Sequence, residues 1–147
     1  NNKIKNMKKL LLVLSFLTLG LTSFAQSKIT VESNDQMKYN VSQIKVKAGE
    51  TVTLTLKHVG KMPIQAMGHN LVILQKGTNV VSFAQSAASA QSTGYVPKSS
   101  SVIAATKLIG GGQSTTITFK APVKGTYDFI CTFPGHFSMM KGKLIVE

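Results

Sequence analysis

Apolar and polar residues alternate with a period of two along most of the chain. Ile29 and Val31 form one such set, Ile44 and Val46 another, and Val52, Leu54 and Leu56 a third. Ile117 and Phe119 follow, then Tyr127, Phe129 and Cys131, and finally Leu144 and Val146. Each set lines one face of an extended strand. Turn-forming residues separate the sets: Asn34-Asp35, Ala48-Gly49-Glu50, Gly60, Gly110-Gly111-Gly112 and Pro122 to Gly125. Short strands broken by frequent turns predict an all-β sandwich or barrel. One stretch departs from the pattern. Residues 79–91 are rich in Ala, Ser and Gln and predict a short helix, with Val80, Phe83, Ala84, Ala87 and Ala88 on one face. Residues 92–101 read as a loop.

The first residues change the boundaries. Lys8-Lys9 precede an apolar run from Leu10 to Leu21, which ends in Ser23-Phe24-Ala25. The run is shorter than the roughly 20 residues a membrane span needs. A charged start, an apolar middle and a small-residue exit describe a secretory signal over residues 1–25, cleaved after Ala25. Residues 1–6 then lie upstream of the expected initiator Met7. The mature chain, residues 26–147, is one domain's worth of sequence with no stable membrane insertion. Of the 17 lysines four lie before residue 26, leaving 13 against five acids, a formal +8 with no arginine. An exported chain without arginine's phosphate-gripping fork argues against nucleic acid. Mobile lysines favour loose, salt-sensitive docking to acidic surfaces.

Cysteine usage sharpens the picture. Cys131 is the only cysteine, so the chain forms no internal disulfide. A lone thiol in an oxidising compartment implies a reactive site, an intermolecular bridge or a metal ligand. The segment Cys131-Thr132-Phe133-Pro134-Gly135-His136-Phe137-Ser138-Met139-Met140 sets a thiol, an imidazole and a thioether in one loop between two strands. A second histidine must come from elsewhere, and His69 in Met67-Gly68-His69-Asn70 is the candidate. Gly68 lets the backbone approach a metal closely. Asn70 is placed to hydrogen-bond across to the ligand loop and stiffen it. Two histidines, a cysteinate and a long axial methionine suit copper that alternates between Cu(I) and Cu(II). His58 continues the inward face of Val52, Leu54 and Leu56 and reads as a buried structural histidine.

The spacing Cys-x4-His-x3-Met from Cys131 to Met140, with Lys141-Gly142 after it, resembles the azurin branch of the cupredoxins. Asn34-Asp35-Gln36-Met37, Met67-Gly68-His69-Asn70 and Val102-Ile103-Ala104 leading into Thr106-Lys107-Leu108-Ile109-Gly110 carry the resemblance over nearly all of residues 26–147. It implies a Greek-key sandwich of about eight strands, one copper ion, and His69, Cys131 and His136 as equatorial ligands. It further implies Met140, rather than Met139, as axial ligand and the Gly68 carbonyl as a weak fifth contact. The edge of His136 becomes the electron portal, with Met37, Met67 and Phe133 in an apolar patch around it. Two departures stand out: the family's usual N-terminal disulfide and its buried tryptophan are both missing.

The function so implied is a periplasmic type 1 blue copper protein that carries single electrons between redox partners such as c-type cytochromes, reductases or oxidases. Copper storage or delivery is the alternative, but a site closed on four sides releases metal slowly. An enzyme is not expected. A cysteine nucleophile activated by His136 would need a third group to orient the histidine, and the loop offers none.

Overall fold

The computed structural model describes residues 25–147; the expected signal, apart from Ala25, lies outside the described residues. Eight strands form two sheets. They are β1 (Gln26–Ser33), β2 (Gln43–Val46), β3 (Thr51–His58), β4 (Val72–Leu74), β5 (Val102–Ala105), β6 (Ser114–Lys120), β7 (Gly125–Ile130) and β8 (Lys141–Val146). One sheet runs β1-β3-β6 and the other β2-β8-β7-β4-β5. The chain crosses between the sheets repeatedly, so β1 pairs in parallel with β3 and β2 in parallel with β8, while the other ladders are antiparallel. The sandwich and its strand count are those anticipated from alternation and resemblance.

The alternating sets fill the space between the sheets. Val31, Val52, Leu54, Leu56, Phe129 and Leu144 are fully buried there, with Ile44, Val46, Phe119, Tyr127 and Val146 nearly so. Ile29 and Ile117, which flank Leu54 on the two outer strands of the smaller sheet, pack against that core but stay partly exposed. Burying side chains of this size contributes about 1.5–3 kcal/mol each.

β4 breaks the rule of one wet face. Leu71, Val72, Ile73 and Leu74 are all buried. Leu71 and Ile73 enter the inter-sheet core, whereas Val72 and Leu74 join Phe83, Ala84 and Ile130 in a second cluster. That cluster is the underside of the predicted helix. Two short helices interrupt the sheets, α1 (Ile64–Met67) and α2 (Val80–Ala87). Asn79 caps α2 by accepting from the Ser82 N–H, which satisfies one of the amides a helix start leaves open. The helix stops earlier than the composition suggested, and Ala88 faces solvent rather than the apolar face. Phe83, Ala84 and Ala87 do the covering.

β7 and β8 deliver the cysteine-to-methionine loop. β7 ends at Ile130, one residue before Cys131, yet the Cys131 N–H still reaches the Met140 carbonyl at 2.9 Å. Phe129 sits opposite Gly142 in that ladder, and its ring occupies the space a Cβ at 142 would need. Gly142→Ala therefore forces the ring out of the core. We expect a loss of about 1–3 kcal/mol in denaturant unfolding, partly recovered in Gly142→Ala/Phe129→Leu. Wild-type stability in the single variant would refute this packing.

Candidate metal centre

Two distant stretches meet at one end of the sandwich. α1 begins after Pro63, whose carbonyl accepts from the Ala66 and Met67 amides, and it ends at Gly68. A Cβ on Gly68 would stand 2.6 Å from the Ile64 carbonyl and 2.9 Å from the Phe133 ring. Only glycine fits between that helix and the opposing loop. The chain next presents His69, whose N–H and C=O both pair with Ile109 at 2.9 Å. Across from it, Gly135 turns the loop with φ 83° and starts a short 3-10 turn, His136–Ser138. The Met140 amide closes that turn on the His136 carbonyl at 2.8 Å.

The result is a buried triangle of donor atoms. His69 Nδ1 and His136 Nδ1 lie 3.3 Å apart, and Cys131 Sγ lies 4.0 Å and 3.8 Å from them. Cys131 and His69 are fully buried and His136 is 4% exposed. Among the described residues these are the His, Cys, Asp and Glu side chains that cluster closely enough to hold one ion. Bond lengths of about 2.0 Å to nitrogen and 2.3 Å to sulfur, opened to 120°, would separate the nitrogens by about 3.5 Å and each nitrogen from the sulfur by about 3.7 Å. The triangle fits a metal at its centre. Thiolate and imidazole together suit zinc or copper, and a trigonal arrangement of this kind suits copper. Met140 is fully buried next to the triangle in sequence, whereas Met139 is 54% exposed. His58 is buried as expected and stacks on His69 at 4.5 Å.

Hydrogen bonds fix the orientation of these donors. His69 Nε2 donates to the Asn34 carbonyl at 2.8 Å, so its Nδ1 keeps a free lone pair toward the centre. His58 accepts from the Gly60 N–H through Nδ1 and donates to the Met67 carbonyl through Nε2. Asn70 binds the far loop twice: its Oδ1 accepts from the Thr132 N–H at 2.8 Å, and its Nδ2 donates to Thr132 Oγ1 at 2.8 Å. The stiffening role anticipated for Asn70 is therefore present. Sequence reasoning missed Thr132, which also donates to the Tyr95 carbonyl at 2.6 Å, and the Asn34 carbonyl. A backbone acceptor leaves no mark on a sequence.

Burial sets the protonation of the cluster. It raises the Cys131 thiol to about 11, although the Asn70 and Phe133 amides favour the thiolate. Burial lowers His69, and burial with the neighbouring His69 lowers His136 to about 4. The metal-free pocket thus holds neutral groups, and a cation between them reverses the logic by taking the thiolate outright. A stability consequence follows for the metal-free chain. The fold accepts the neutral His136, so its contribution is complete above pH 6.5 and is lost as pH falls toward about 4. Urea unfolding of the metal-free chain should lose roughly 1–2 kcal/mol between pH 7.5 and pH 5, and less in His136→Gln. Equal slopes in both proteins would contradict a buried neutral imidazole.

Known proteins share this architecture. The sequence model described as copper binding proteins, plastocyanin/azurin family, matches residues 25–147. Azurin-2 of Alcaligenes xylosoxydans xylosoxydans is 45% identical over 125 residues, covering 82% of this chain and 97% of that protein. Outer membrane protein H.8 of Neisseria gonorrhoeae is 47% identical over 120 residues, 78% of this chain, which spans only 64% of that longer protein. Among solved structures, auracyanin A, a "blue" copper protein from Chloroflexus aurantiacus, superimposes with a TM-score of 0.77 at 31% identity, covering 84% of this chain and 100% of that one. With the donor triangle, the sandwich and the sequence in agreement, the chain belongs to the plastocyanin/azurin family of copper-binding proteins.

Proposed function

We propose that this chain is a type 1 blue copper protein that carries single electrons, with its copper held by His69, Cys131 and His136. Met140 and the Gly68 carbonyl would complete the set of residues that hold it, the thioether as a weaker donor and the carbonyl weaker still. The observation that carries the proposal is the donor triangle of 3.3 to 4.0 Å, already assembled inside a hydrogen-bonded frame. When bound, copper supplies a one-electron couple between Cu(I) and Cu(II). The chain's own part is to hold three donors still and dry. Asn34 fixes the His69 tautomer, Asn70 and Thr132 hold the cysteine loop to the segment that carries His69, and the Asn70 and Phe133 amides favour the thiolate. Donors that need not move between oxidation states favour rapid electron exchange over metal release. Copper storage or delivery would require a site that opens, and the buried, doubly bonded frame works against it.

The working domain is residues 26–147, following a leader that takes the protein to the periplasm. Within the described residues no helix is long and apolar enough to cross a membrane. Partners are redox proteins, c-type cytochromes, reductases or oxidases among them, engaged briefly through a small interface. The chain needs no substrate pocket of its own and is not an enzyme.

Copper(II) loading should give one equivalent bound and an intense visible thiolate-to-copper band, which Cys131→Ser removes. A colourless, redox-silent wild-type complex would overturn the proposal. Met140→Leu should keep the band and favour the reduced state by tenfold or more, about 59 mV for a one-electron couple. A potential unmoved by that substitution would leave Met140 without an axial role.

A further inference from the structure

The contacts that leave the donor cluster do not stop at His136. The Phe133 ring lies 4.6 Å from the His136 imidazole, and the Tyr95 ring meets Phe133 edge-on at 5.3 Å. Tyr95 reaches the other arm of the cluster as well. Its carbonyl accepts from Thr132 Oγ1 at 2.6 Å, and Thr132 is bonded directly to Cys131. One residue is thus joined to the His136 side by rings and to the Cys131 side by a hydrogen bond. His136 itself is 4% exposed, whereas Tyr95 is half-buried.

The backbone around Tyr95 is held in place at a cost. Gly94 and Tyr95 are both left-handed, with φ 66° and 63°, a conformation that strains a tyrosine by roughly 1–2 kcal/mol. Asn70 and Thr132 pin the two carbonyls of this turn, at 3.0 Å and 2.6 Å, and the Tyr95 amide bonds Ala90 at 2.8 Å. The same two side chains that join the donor segments therefore also set the Tyr95 ring. Two exposed lysines stand near it. Gly94 rests against Leu108, where a Cβ would meet the Leu108 Cβ at 3.4 Å, and the adjoining Lys107 is exposed. Lys98 is exposed three residues beyond Tyr95. Residues 51–127, which include both lysines, contain no Asp or Glu.

We propose that Tyr95, with the exposed Lys98 and Lys107 on neighbouring stretches of chain, forms a second docking and electron-entry face of this protein, fitted to an acidic one-electron redox partner. The face lies beside the His136 edge rather than on it, and its function rests on the carrier proposal above. Tyr95 and Phe133 act as coupling groups and are not oxidised. One electron leaves the reduced partner, the copper(II) form of the chain becomes the copper(I) form, and no bond or proton changes place. A semi-rigid, amphipathic tyrosine beside mobile lysines is the composition of a contact that is selective yet brief.

The test uses anionic probes. Hexacyanochromate(III), paramagnetic and inert to redox, is added to the diamagnetic copper(I) protein while amide resonances are followed. Broadening should centre on Tyr95, Lys98 and Lys107. It should vanish in Lys98→Glu/Lys107→Glu and persist in Lys124→Glu, on the turn at the far end of the sandwich. Reduction of the copper(II) form by hexacyanoferrate(II) should slow about tenfold in the double charge reversal and grow steeper in salt dependence for the wild type. Tyr95→Leu should slow it comparably with band and potential intact, and Tyr95→Phe should restore the rate. Broadening confined to His136 and Met139, or a Tyr95→Leu rate equal to wild type, would overturn the second face. A wild-type protein without the visible band would instead sink the carrier proposal, so the two failures are distinguishable.

Discussion

The clasp between Asn70 and Thr132 joins two segments 62 residues apart, and the geometry of the donor cluster depends on it. One amide side chain occupies both the N–H and the hydroxyl of the opposing loop, in a region where neither residue touches solvent appreciably. Hydrogen bonds in such dry surroundings are strong, and a partner lost there leaves a buried polar group unpaired at a cost of about 1–3 kcal/mol. The segment that carries His69 is held in turn by the Ile109 pairing and by the Thr106 hydroxyl, which accepts from the Leu71 amide. Tyr39 adds a bond from its hydroxyl to the Asn70 carbonyl at 2.5 Å, while its ring packs edge-on against Phe129. The core of the sandwich and the frame of the metal centre are therefore one structure.

That frame explains how a cluster of neutral donors can be stable without metal and selective with it. Burial opposes the thiolate and the imidazolium alike, so nothing in the pocket is charged until a cation arrives. The cation then meets nitrogens and sulfur already spaced for trigonal bonds. A methionine on the closing turn lies buried beside them while its neighbour faces solvent. Rigidity serves electron transfer because donors that stay in place need little rearrangement between oxidation states. The cost of that rigidity is met by hydrogen bonds and packing around the site.

Much of this was legible in the sequence, for identifiable reasons. Val52, Leu54 and Leu56 alternate cleanly because their strand has one dry face, so period two reports it faithfully. β4 hid its nature because both its faces are covered, one by the opposite sheet and one by α2. The parallel pairing of β1 with β3 follows from a crossover through β2 in the other sheet, which no local pattern records. In the metal centre, the thiol, imidazole and thioether were visible because their chemistry is carried by side chains at close spacing. The Asn34 carbonyl and the left-handed Tyr95 were not, since a backbone acceptor and a strained φ depend on tertiary contacts rather than residue type.

The central claim is that the fold, and not the metal, assembles the donors. The direct test is a crystal structure of the metal-free protein beside that of the copper-loaded one. This account predicts that His69 Nδ1, His136 Nδ1 and Cys131 Sγ keep their mutual separations within about 0.5 Å and that the Asn70–Thr132 bonds are unchanged. A metal-free structure in which the loop carrying Cys131 and His136 has parted from Asn70, or either imidazole has swung away from the sulfur, would contradict it.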